Sequence, residues 1–217
     1  MAQCPACGTA HEVDVVASVA GDRRPDLKAA ILDGSFQTQT CPDCAATFRL
    51  PPRFTYMDFA RGIWFVAHPV EDESRWSEFE KQAKRLFDVS YRSGGSPAAR
   101  EIGKSIKPRV VFGWLAAREK LVCDDAGLDD VTVELVKAGI LAAVSGAPLG
   151  DESELRLDAS DAATLHFSWY EAASEQRLSS LLVPRPRYDE IEKDAAWSAL
   201  RAEFEGVPYT DIGRLIN

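Results

Sequence analysis

Cys4-Pro5-Ala6-Cys7 and Cys41-Pro42-Asp43-Cys44 are the two stretches whose reading decides the fold. Each holds two thiols on a tight turn, and four thiolates complete a tetrahedral metal site. Between them lie 33 residues, 8–40, the layout of a structural zinc ribbon with an enlarged middle. Closing a loop of that length costs about 3 kcal/mol. A structural zinc site contributes roughly 10–16 kcal/mol at neutral pH. The metal outweighs the loop, so the expectation is one structural Zn2+ per chain, held by Cys4, Cys7, Cys41 and Cys44.

The rival reading of Cys-Pro-X-Cys is redox, in which the first thiolate sits at a helix N-terminus with a lowered pKa. Residues 45–50 instead read as a strand that ends at Pro51-Pro52, and two copies exceed what a redox site needs. The two turns differ at one position. Gly8 follows the first pair and suits a positive-φ knuckle, whereas Ala45 follows the second. Ala45 either adopts a left-handed conformation at about 1–2 kcal/mol or closes a different turn.

Around these motifs the chain has 217 residues, 46% hydrophobic and 27% charged, enough for a real core in one large domain or two modest ones. No apolar run reaches the ~18 residues of a membrane span. The first residues lack a basic start and an apolar block, so no secretory signal is expected. Five cysteines, four of them in paired turns, point to a cytoplasmic metal site rather than a disulfide framework. The net charge of −9 is uneven: residues 151–217 carry seven basic and 14 acidic groups, while residues 75–120 carry 11 basic and five acidic. The global sign opposes a dedicated nucleic-acid binder; the local excess offers a basic stretch to an anionic partner.

Periodicity outlines the elements. Residues 11–19, 36–40 and 46–50 read as strands, and Pro25 and Asp26 open a short helix before Gly34. Residues 54–59 and 63–68 form an aromatic-rich strand pair, apolar on both faces, the pattern of a covered sheet. A helix is expected over 72–92, a second after Ser96-Pro97, a third over 108–122 and a fourth over 131–144. On the fourth, Glu134 and Lys137 are expected to mark a narrow exposed stripe. The glycines at 146 and 150 mark the best domain boundary. Beyond it, strands are expected over 154–157, 165–170 and 178–183, then a helix over 188–204 and a docked tail with Leu215 and Ile216.

No catalytic constellation stands out, so no catalytic or cofactor-binding residue is assigned and an enzyme is the third-ranked reading. Cys123 lies beside Asp124 and Asp125, which raise a thiol pKa, and is read as inert. His11, His68 and His166 fall in no triad or metal motif. Asp189, Glu190, Glu192 and Asp194 read as a cap in the first turns of a helix. Residues 109–144 suggest a helix-turn-helix, but its second helix opens with Asp129-Asp130 and carries only Lys137, so an αα-hairpin is preferred.

The paired Cys-Pro-X-Cys motifs, together with residues 31–44 (Ile-Leu-Asp-Gly-Ser-Phe-Gln-Thr-Gln-Thr-Cys-Pro-Asp-Cys), Tyr56-Met57-Asp58 and residues 117–121 (Ala-Arg-Glu-Lys-Leu), resemble the CpXC family of bacterial and archaeal proteins. The likeness covers roughly residues 1–140. It implies metal-ligand roles for Cys4, Cys7, Cys41 and Cys44, and Ala45 departs from the glycine usual in such knuckles.

The expected fold is α+β: zinc-ribbon hairpins built into a mixed helical and β framework over 1–146, then an acidic α+β segment over 147–217 that can pack with the first as one unit. The expected function is a cytoplasmic, non-enzymatic interaction or scaffold module with a protein partner or a second copy. The alternative is nucleic-acid binding through the ribbon and residues 75–120. No membrane contact is expected.

Overall fold

The computed structural model describes residues 1–144 and 153–215. The chain opens with two short strands, β1 (Ala2–Gln3) and β2 (Ala10–His11), paired antiparallel around the first cysteine turn. Of the strand expected over 11–19, only the two ends are regular, His11 within β2 and the close of the run in β3 (Ser18–Ala20). Helix α1 (Pro25–Asp33) carries proline in its first turn and ends at Gly34 in the left-handed region, φ +86°. β4 (Thr38–Thr40) and β5 (Thr47–Arg49) flank the second cysteine turn as an antiparallel pair.

β6 (Phe54–Asp58) and β7 (Ile63–His68) form the aromatic hairpin. A 3-10 turn (Val70–Arg75) leads into α2 (Trp76–Tyr91), and α3 (Pro97–Gly103) follows, its cap formed by Ser96 Oγ accepting from the Ala99 N–H at 3.2 Å. The helix expected over 108–122 is corrected here. Residues Lys107–Phe112 are a strand, β8, parallel to β7, and helix α4 begins only at Gly113 and runs to Asp125. Pro108 suits a helix start, but the run Val110-Val111-Phe112 is buried on both faces, the habit of a parallel strand.

The resulting sheet has the order β3-β6-β7-β8. On one face Phe54, Tyr56, Phe65, Ala67 and Val111 pack with Ile31 of α1 and Trp114, Ala117 and Leu121 of α4. On the other, Trp64, Val110 and Phe112 pack against Phe79, Ala83 and Phe87 of α2. Apolar residues on both faces of β6 and β7 therefore have a cover on each side.

Helix α5 (Asp130–Ala143) starts at Asp129, whose carboxylate accepts from the Thr132 N–H at 3.0 Å. The boundary expected around Gly146–Gly150 lies outside the described residues. A second sheet follows, order β11-β10-β9, from β9 (Ser153–Ser160), β10 (Thr164–Glu171) and β11 (Arg177–Pro184). The helix expected over 188–204 starts earlier and is broken. It consists of α6 (Arg185–Lys193) and α7 (Ser198–Phe204), separated where Asp194 accepts from the Ala196 N–H and caps a new turn. The acids at 189–194 thus sit past the first turn, where Asp189 and Glu190 face Arg185 and Arg187.

One hydrophobic cluster joins Val131, Leu135 and Ile140 of α5 to Leu155 and Leu157 of β9, Phe167 of β10 and Ile191 of α6. The tail docks through Tyr209, Thr210 and Asp211, all buried, with the Val110 N–H donating to the Pro208 carbonyl at 2.9 Å. Leu215, expected to dock, is 44% exposed, and Ile216 lies outside the described residues.

Candidate metal centre

Both cysteine turns close in the same way. The Gly8 N–H donates to the Cys4 carbonyl at 2.9 Å and the Ala45 N–H to the Cys41 carbonyl at 3.0 Å. The Cys4 N–H then returns to Thr9, and that of Cys41 to Ala46. Gly8 takes φ +76° and Ala45 φ +58°, so Ala45 accepts the left-handed conformation rather than closing a different turn. The flanking two-stranded ribbons hold each knuckle, and the edge-to-face contact of His11 with Phe48 at 5.8 Å ties the first ribbon to the second. His11 is a packing residue here, not a fifth donor.

The two knuckles bring the four sulfurs together. Cys4 Sγ lies 3.7 Å from Cys44 Sγ, Cys7 Sγ lies 3.7 Å from Cys41 Sγ, and all four fall within 4.8 Å of one another. A tetrahedron with metal–sulfur distances near 2.3 Å has edges of about 3.8 Å. The donor set therefore fits a four-thiolate ion. Cys4 and Cys41 are buried, Cys7 and Cys44 exposed. The thiols titrate unequally: hydrogen bonds with Thr9 draw Cys7 down to about 6. At Cys44 the Ala46 amide pulls down, but the neighbouring thiols and burial prevail and push it up to about 12. Four thiols this close do not all ionise without a cation among them.

The family follows from the span of the likeness. The family described as CpXC protein matches residues 2–137, well over half of the chain. This chain belongs to the CpXC family. No curated protein and no solved structure matches it. In this CpXC chain the matched part takes in both knuckles, the four-stranded sheet and α1 to most of α5.

The remaining residues singled out in the sequence fall as follows. Cys123 is buried, and burial together with Glu119 pushes its thiol well up, so it is inert. His68 lies between Phe79 and Phe112, and burial lowers it to about 4. His166 sits on the second sheet, 3.1 Å from Asp161. No helix among the described residues is long and apolar enough to cross a membrane.

The basic stretch 75–120 does not form one patch. Arg109 and Lys120 are buried and share Asp130, at 2.7 and 3.0 Å, and those two cations hold the Asp130 carboxyl far below its usual range against the cost of burial. They floor a cleft of about 220 Å3 in which Lys107, Arg109 and Lys120 are matched by Asp124, Asp129 and Asp130. Arg75, Arg92, Lys104 and Arg118 each meet a carboxylate. Lys81, Lys84 and Arg85, on the outer side of α2, are exposed.

Periodicity misplaced the charges of α5. Glu134 and Lys137 are fully buried rather than an exposed stripe. Lys137 Nζ donates to Glu119 of α4 at 2.7 Å and to Glu134 at 2.9 Å. Arg156 of β9 bridges Glu119, Glu154 and Asp211. Glu119 also accepts from the Leu157 N–H at 2.6 Å, and Glu134 from the Ile212 N–H at 2.8 Å. Glu119, Glu134 and Asp211 approach closely enough to hold a cation, but Lys137 and Arg156 already sit among them. Burial pushes Glu134 up to about 7 even so. The one sequence signal for this knot is the i, i+3 pair Glu134–Lys137 on a helix otherwise apolar all round.

Proposed function

We propose that the chain is a zinc-binding member of the CpXC family, in which one structural Zn2+ held by Cys4, Cys7, Cys41 and Cys44 fixes the N-terminal ribbon, and that it acts as a protein-interaction or scaffold module. The observation that carries the zinc reading is the four-sulfur cluster, whose 3.7 Å contacts suit tetrahedral thiolate coordination. All four donors come from the protein, so the coordination sphere is closed, as in a structural site and unlike a catalytic one. Closed zinc ribbons hold framework, and function then lies on the surfaces they brace.

Nucleic-acid binding is the second reading, and one observation favours it: Lys81, Lys84 and Arg85 lie exposed one turn apart on α2. Against it, Arg109 and Lys120 are buried and neutralised by Asp130, and three cations alone make a weak electrostatic footprint. Affinity capture of the full chain from its native cell at low salt, with and without nuclease, separates the two. Protein partners that survive nuclease are the expected result. Recovery of partners only through nucleic acid would sink the scaffold reading.

A further inference from the structure

Residues 207–215 run along the outer edge of β8, the last strand of the four-stranded sheet. Their backbone is held by groups of the preceding chain. The Val110 N–H donates to the Pro208 carbonyl at 2.9 Å, Arg109 Nη1 to that of Val207 at 3.0 Å and Lys120 Nζ to that of Thr210 at 3.0 Å. The Tyr209 ring stacks on Trp76 of α2 and packs edge-to-face with Phe112 of β8. The rest of the segment is fastened to carboxylates. Tyr209 Oη donates to Glu73 Oε1 at 2.5 Å, the Ile212 N–H to Glu134 Oε2 at 2.8 Å, and Arg214 pairs with Glu80 of α2 at 3.1 Å. Asp211 enters the same site and pairs with Arg156. A Cβ on Gly213 would lie 2.9 Å from the Glu73 carboxylate and 3.2 Å from that of Asp211, so those two acids are close neighbours.

The docked segment leaves this site short of positive charge. Glu73 faces Tyr209 and Asp211 of the tail, and Arg156 and Glu154 of β9. Glu134 faces Lys137 on its own helix, Glu119 and Lys120 of α4, and Asp211. Lys120 is already paired with Asp130. Five carboxylates, those of Glu73, Glu119, Glu134, Glu154 and Asp211, therefore share two cations, Lys137 and Arg156. Among the described residues no cation pairs with Glu73. Like charges crowded together out of water do not all ionise. Burial and then Asp211 accordingly raise Glu73 above the usual carboxylate range, and burial raises Glu134 to about 7 against the pull of Lys137.

We propose that residues 207–215 are a proton-controlled strap: docking brings Asp211 into the Glu73–Glu134 site and binds protons there, and the strap loosens as those carboxyls ionise. When the tail leaves, Asp211 goes with it, and Glu73 and Glu134 meet water and return toward the ordinary 4.5. The docked state thus holds more protons than the loosened one. Its advantage is complete below that value and is lost as the pH rises through about 7. Loosening uncovers the outer edge of β8 and the Trp76 and Phe112 rings, within the part of the chain that the family covers. The strap does not involve the ribbon, and its failure would leave the zinc reading untouched.

Amide hydrogen exchange of the full chain, read by mass spectrometry from about pH 5.5 to about pH 8.5 and corrected for the intrinsic rate at each pH, tests it. Each proton bound on docking weakens the docked state by up to about tenfold per pH unit. Protection of residues 209–215 should therefore fall by about tenfold or more across the range, while that of β6 and β7 stays level. Glu73→Gln and Glu134→Gln imitate the protonated side chains. At least one of them should keep the tail protected at the alkaline end and flatten the fall, whereas a variant that merely broke a contact would lose protection at every pH. Wild-type protection that stays level or rises with pH would overturn the proposal. So would a pair of folded Gln variants that both keep the wild-type fall or both lose protection at every pH. If the variants fail to fold, the wild-type profile decides alone.

Discussion

The Lys137 ammonium lies 2.7 Å from Glu119 Oε2, with both side chains closed to solvent, and so joins α5 to α4 through a buried charge. Arg156 and Asp211 extend the contact to β9 and the tail. A hydrophobic cluster shared by α5, β9, β10 and α6 surrounds it. The part of the chain that the family covers and the part that follows are thus held by a charge network as well as by apolar burial.

Replacing Lys137 with methionine should be strongly destabilising. It leaves Glu119 and Glu134 without their cation, and breaking a buried pair on one side typically costs about 3–5 kcal/mol. Urea unfolding of wild type and variant would show this as a lower midpoint with an unchanged slope. A loss below about 1 kcal/mol would mean that the pair is not buried as described.

The second knuckle offers an improvement. Ala45 holds φ +58° in the position where Gly8 holds +76°, and a left-handed alanine costs about 1–2 kcal/mol. Ala45→Gly should therefore raise stability by up to about 1 kcal/mol, since glycine also gives up more chain entropy. Gly8→Ala should lower it. Thermal unfolding of the two variants side by side checks the pair of signs.

His68 should contribute an acid limit. Burial between Phe79 and Phe112 lowers its pKa from the ordinary 6.5 to about 4. The folded state thus binds its proton less readily than the unfolded chain. The stability from neutral His68 is intact above about pH 6.5 and drains away as the pH falls toward 4. The loss is at most about 3 kcal/mol. His68→Phe should flatten the urea-stability profile across that window; an unchanged profile would assign the acid limit to other groups.

A chain ending at Val144 should fail to fold as a soluble monomer. It would lose the β9–β11 sheet that covers Val131, Leu135 and Ile140, together with Arg156 and Asp211 of the charge knot. Light scattering and circular dichroism should find aggregation or a loosened helical state. A cooperative monomer would show that the first 144 residues close their own core.

Much of this architecture is legible in the sequence because its cues are local. The cysteine turns, proline at the start of α1 and Gly34 at its end, Ser96 as a cap and the β6–β7 alternation all act within a few residues. The errors arise where distant partners decide. β8 reads as a helix start because Pro108 suits one, while its pairing with β7 reaches back about forty residues. Glu134 and Lys137 look exposed because a lone helix keeps charges outside; their distant partners lie on α4 and in the tail. The helix break at Asp194 follows from a cap that competes with continuing the helix. At the candidate metal centre the four cysteines stand out in the sequence and Ala45 is left with two conformations open, but only the fold brings sulfurs of the two knuckles, 34 and 40 positions apart, within 3.7 Å.

The most direct measurement is the metal content of the purified full chain by mass spectrometry, native and after Cys41→Ser, with thermal unfolding of each before and after a chelator. The account predicts about one zinc per wild-type chain, little or none in Cys41→Ser, and a lower unfolding temperature whenever zinc is absent. A wild type that carries no zinc when purified without chelator, or a Cys41→Ser protein as metal-loaded and as stable as the wild type, would contradict it.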